Sequence, residues 1–79
     1  MYTEKIQKLE NEIQEIKKYI KANKKEIKKR EKILSMIIDN KMVVDEEVET
    51  EIEMYKEEIE KFTNELKTRK ELIKNYKKL

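Results

Sequence analysis

Asp39-Asn40-Lys41-Met42-Val43-Val44-Asp45 is the stretch where two helical patterns fall out of step. Before it, seam positions recur at Ile6, Leu9, Ile13, Ile16, Ile20, Asn23, Ile27, Arg30, Leu34 and Ile37. After it they recur at Val48, Ile52, Tyr55, Ile59, Phe62, Leu66, Arg69, Ile73 and Tyr76. Spacings that alternate between three and four define the heptad of a coiled coil, abcdefg, with a and d in the seam. Continued through the break, the first series would make Val48 an a position. In the second series Val48 is d and Ile52 is a. Either the backbone reverses between Ile38 and Glu46, or one continuous helix carries a stutter there.

The residues of the break favour reversal. Asn40 tolerates the left-handed conformation that ends a helix. Asp45 suits an N-cap, and Glu46 and Glu47 follow where the helix dipole stabilises anions. A short connection makes consecutive helices antiparallel neighbours. The expected fold is all-α: residues 1–79 as a single two-helix antiparallel coiled-coil hairpin, with helix 1 at about 3–39, a loop at about 40–45 and helix 2 at about 46–78.

Composition agrees. The 79 residues include no Gly, Pro, Cys or His, so turn-forming residues are scarce and little of the chain is forced out of helix. Without Cys and His there are no disulfides and no ordinary zinc ligands, so no metal and no cofactor are expected. Charged residues make up 48% of the chain, with a net charge of only +2. No apolar run approaches the roughly 18 residues that span a membrane, and Met1-Tyr2-Thr3-Glu4-Lys5 lacks a secretory apolar core. A soluble, cytoplasmic protein without membrane contact is expected. Abundant Ile, Asn, Lys and Glu beside a single Ala is the usage of AT-rich coding, as in a low-GC bacterium or its phage.

The charges are arranged in blocks. Residues 17–32 hold nine basic and two acidic side chains, and residues 45–60 hold nine acidic and one basic. Like charges four apart, such as Lys17/Lys21 and Glu49/Glu53, each cost a few tenths of a kcal/mol in an isolated helix. Folding back sets one block beside the other and offsets that cost. Two registers place a against d. One pairs Leu34 with Val48 and Ile37 with Val44 or Asp45. The other pairs Ile37 with Ile52, Leu34 with Tyr55 and Ile27 with Phe62. The second allows Glu10/Lys77 and Glu31/Lys56 on the flanks and is preferred on that ground, although it leaves Lys17 near Lys70. A faint repeat with an offset of 39 residues links Glu26-Ile27-Lys28-Lys29-Arg30 to Glu65-Leu66-Lys67-Thr68-Arg69. Heptad sequences of biased composition produce such matches easily.

A two-helix hairpin covers each seam from one side only. Domains of this size gain at most about 3–5 kcal/mol from one core unless disulfides, metal or oligomerisation help. Tyr19, Ile33, Met36, Ile38, Met54 and Leu72 flank the seams and widen the apolar stripe, as in helices with more than one neighbour. A homodimeric four-helix bundle, or a larger one, is therefore expected.

Three groups of residues are candidates for function. Met36, Ile38, Met42, Val43 and Val44 crowd the loop end. They suit either an adaptable docking patch for a second, unidentified protein or closure of the oligomer. Arg30 and Arg69, the only arginines among many lysines, stand at d positions with Asn23 at another. They suit either pairing with Glu26 and Glu65, four residues earlier, or an interior anion site, because guanidinium grips oxyanions in bidentate fashion. Lys17, Lys18, Lys21, Lys24, Lys25, Lys28, Lys29 and Lys32 suit either a solvated face or attachment to nucleic-acid phosphates. No helix-turn-helix, zinc-finger or RNA-binding signature accompanies them. Catalysis has little support: no His or Cys is present, the seams contain no Glu, and most carboxylates fall on outer positions. The function expected is that of a small self-associating adaptor, scaffold or inhibitor, plausibly encoded by a phage or mobile element, and not an enzyme. Nucleic-acid association and sequestration of a small anion are the alternatives.

Overall fold

The computed structural model describes residues 2–39 and 46–79. Helix α1 runs over Thr3–Asp39 and helix α2 over Glu46–Lys78. The molecule is 62 Å long and 14 Å across in the other two directions. A single straight helix of this chain would extend about 120 Å at 1.5 Å per residue. The length therefore excludes the continuous helix with a stutter and leaves the antiparallel hairpin. The expected loop at 40–45 lies outside the described residues.

Local chemistry supports both helices. Acidic residues occupy the first turns, Glu4 in α1 and Glu46, Glu47 and Glu49 in α2, and Lys77 and Lys78 occupy the last turn of α2. All of these complement the helix dipole. Thr50, Thr63 and Thr68 donate their hydroxyls to the carbonyls of Glu46, Ile59 and Asn64 at 2.7–3.0 Å. Each such bond, back to the carbonyl four residues earlier, satisfies a polar group inside a helix. The Leu79 amide donates to the Tyr76 carbonyl at 3.2 Å and tightens the last turn of α2.

Every described seam residue is at least partly withdrawn from solvent. Ile13, Ile16, Ile27 and Ile52 are buried, at 5–8% exposure. Four contacts across the hairpin set its register: Arg30 to Glu51, Asn23 to Glu58, Tyr19 to Phe62 and Arg69 to Glu12. Each step back along α1 is matched by one step forward along α2. This is the register with Leu34 opposite Val48, and it corrects the expectation that placed Leu34 opposite Tyr55. The rejected alignment differs by one heptad; it again sets a against d but leaves Ile6 and Leu9 beyond the end of α2. It would also carry Arg30 and Arg69 about 10 Å from Glu51 and Glu12, beyond hydrogen-bonding reach. The flank pairs Glu10/Lys77 and Glu31/Lys56 favoured it, but these side chains are all exposed, where ion pairs contribute little.

Candidate functional site

One column of residues in each helix stands immediately before the a positions. In α1 it is Glu12, Tyr19, Glu26 and Ile33; in α2 it is Glu51, Glu58, Glu65 and Leu72. Seven residues is close to two helical turns, so each column keeps to one side of its helix. The four cross-helix contacts that set the register bring the two columns to the same side of the hairpin. We call it the clamp side, because both arginines are held there.

Arg30 donates through Nε to Glu51 of α2 at 2.5 Å, and through an Nη to the carboxylate of Glu26 on its own helix at 2.5 Å. It also lies over the Tyr55 ring, 4.7 Å from the centroid. Arg69 donates through Nε to Glu12 at 2.9 Å, with Glu65 of its own helix 3.9 Å away. Each arginine further donates to the backbone carbonyl four residues earlier, at 3.3 Å. A guanidinium held between carboxylates keeps its fork satisfied while its stem stays in the seam. The consequences are visible in the charges. The hydrogen bond from Arg30 holds the Glu26 carboxyl below its ordinary value of 4.5, against partial desolvation, and Lys29 and Lys25 add to the effect. Glu51 first and Glu26 second hold Arg30 protonated more firmly than a free arginine.

The pairing with Glu26 and Glu65 follows from the four-residue spacing. The cross-helix partners Glu51 and Glu12 were missed, and the repeat contained the signal. An offset of 39 carries Glu26 onto Glu65, Arg30 onto Arg69 and Glu12 onto Glu51. It also carries the buried Ile13 onto the buried Ile52, and Ile33 onto Leu72. The hairpin thus has an approximate internal two-fold axis, and the two clamps are its two copies.

Asn23, Arg30 and Arg69 are not brought into one site within the hairpin. Arg30 and Arg69 stand about 25 Å apart along the axis, and Asn23 donates to Glu58 at 3.0 Å. An anion at either arginine would have to displace a carboxylate already bound there. The eight lysines from Lys17 to Lys32 are exposed and spread around the outer surface of α1, level with the acidic outer surface of α2. Among the loop-end residues, Met36 and Ile38 are 56% and 61% exposed; Met42, Val43 and Val44 lie outside the described residues.

The opposite side of the hairpin has a different character. Its columns are Glu10, Lys17, Lys24 and Glu31 in α1 and Glu49, Lys56, Thr63, Lys70 and Lys77 in α2, all exposed. Two open grooves follow these columns. One is lined by Leu34, Ile52, Glu31, Glu49, Glu53 and Lys56, and the other by Leu66, Thr63, Glu71 and three lysines. Among the described residues no group of three His, Cys, Asp or Glu side chains could hold a metal ion. Nor is any described helix long and apolar enough to cross a membrane. No family model matches this chain, and neither a curated protein nor a solved structure was found to be similar to it.

Proposed function

We propose that this chain works by protein–protein contact, as a small self-associating coiled-coil module of the adaptor, scaffold or inhibitor kind, without chemistry of its own. One observation carries the reading. The hairpin leaves Tyr19, Ile33, Met36, Ile38, Met54 and Leu72 between 41% and 61% exposed, while only isoleucines are buried among its described residues. Large apolar side chains arranged along one molecule, rather than scattered singly, are the mark of a surface meant for contact. Side chains that are both exposed and charged dominate elsewhere, so nothing in the composition demands this apolar surplus for folding alone. The cytoplasm suits such a module.

The loop end is the part of this surface offered to a different protein. Met36 and Ile38 stand there, next to Met42, Val43 and Val44 in sequence. Flexible, unbranched Met beside branched aliphatics adapts to varied partners. Replacing Ile38 by Asp is expected to abolish partner capture while helicity and mass in solution stay unchanged. Loss of self-association in the same variant would assign the loop end to the homo-oligomer instead. Circular dichroism, light scattering and capture with the purified partner read the three properties separately.

A further inference from the structure

The two sides of the hairpin differ in how much apolar surface they offer. On the clamp side Tyr19, Ile33 and Leu72 are 53%, 45% and 41% exposed, and Met54, one column further out, is 57% exposed. They are spaced along the rod: Ile33 and Met54 toward the loop end, Tyr19 stacked on Phe62 midway, Leu72 toward the termini. The other side carries lysine, glutamate and threonine, with Ile38 its one large apolar member among the described residues.

We propose that a second copy of this chain covers the clamp side, with α1 of each copy against α2 of the other and both loop ends at the same end of a four-helix bundle. The proposal rests on the self-association argued above and names its surface and orientation. Area is the first support. A side 62 Å long and 14 Å wide offers roughly 870 Å², against about 800 Å² per partner in a standard stable interface. Symmetry is the second. The 39-residue repeat gives the clamp side the same residues at both ends, so a contact made at one end between two-fold-related copies has a counterpart at the other. Two copies then bury four equivalent sets of arginine, paired glutamates and aliphatic neighbour.

Charge selects the orientation. The clamp column of α2 is Glu51, Glu58 and Glu65. Stacking α2 on α2 would set two such rows against each other, and like charges so placed are destabilising. Stacking α1 on α2 puts Lys29, beside Arg30, at the level of Glu51 of the second copy. On a larger scale it sets the basic block 17–32 beside the acidic block 46–60 between copies, as it already lies within one. Packing through the other side would instead set Lys24 level with Lys56 and Glu31 level with Glu49.

The test compares the wild type with a clamp-side pair, Ile33→Glu/Leu72→Glu, and an opposite-side pair, Lys24→Ala/Lys56→Ala. The expected results are a wild-type mass twice 9.8 kDa, a clamp-side variant of half that mass with its helix signal kept, and an unchanged opposite-side variant. Should the glutamate pair lose its helix signal, Ile33→Ala/Leu72→Ala carries the same test, with a dimer weakened at least tenfold. A monomeric wild type would overturn this proposal together with the self-association beneath it. A dimer indifferent to the clamp-side changes would overturn this proposal alone. The chain has no cysteine, so a spin label on Lys78→Cys reads orientation. Labels ~20 Å apart fit loop ends together in a bundle with neighbouring axes 8–10 Å apart; a separation near the full 62 Å length would overturn the orientation.

Discussion

Arg30 occupies a d position where an apolar residue would pack more simply, and its surroundings explain how it is kept there. Its stem follows the seam, its guanidinium reaches Glu26 and Glu51, and Tyr55 lies beneath it. Lysine could supply the charge but not two divergent donors in a fixed plane. Glu26 has its carboxyl depressed by this hydrogen bond. A group whose folded value lies below its unfolded one adds stability that is complete above the unfolded value and lost as pH falls through the folded one. The Glu26 contribution is therefore full above pH 4.5 and disappears on acidification below it. Thermal unfolding between pH 7 and pH 2.5 should show the midpoint falling in the acid range. Glu26→Gln should flatten part of that fall, and equal acid slopes in the two proteins would remove this pair as an acid-sensitive element. Glu51 and Glu12 are the residues that sequence reasoning did not reach. Their partners are distant in the chain, and only the extension of the repeat to them would have exposed the relation.

At the scale of the helices, the separation of seam from surface is a local property. Each seam position named from the heptad spacing is withdrawn from solvent among the described residues, because 3.5 residues per turn puts those side chains on one stripe whatever they pack against. Alignment of the stripes is not local. Sliding α2 by one heptad again sets a against d, and loses only the seam contacts of Ile6 and Leu9 at the end of the rod. Arg69 tells the two alignments apart: it meets Glu12 in one and would meet Tyr19 in the other, whereas Arg30 meets Glu51 in one and would meet Glu58 in the other. A short thiol cross-linker should therefore join Leu34→Cys to Val48→Cys within one molecule in high yield and leave Leu34→Cys/Tyr55→Cys unjoined. The reverse pattern would restore the other register. Replacing Arg69 by leucine should let the second pair cross-link to a measurable extent, because the contact that separates the alignments is then gone.

For the whole molecule, the decisive property is how little a lone hairpin buries. Four isoleucines are buried among the described residues, none of them completely, and no disulfide is possible without cysteine. Association that occurs only in the folded state makes apparent stability depend on concentration. The unfolding midpoint should rise by several degrees between about 1 and 100 μM protein, a range over which mass action on a dimer adds a few kcal/mol at most. A midpoint that stays constant across this range would mark the hairpin as self-sufficient and its exposed apolar side chains as surface for other molecules alone.

The sequence by itself determined the helices, the reversal near residue 42 and the set of side chains that line the seam. All three follow from spacing along the chain, and helix geometry converts spacing directly into direction. The tertiary structure alone decided which residues face each other and that the two clamps share one side of the rod. Those depend on reach across the seam, where a row of isoleucines sets a against d in either alignment and Arg69 finds Glu12 in only one.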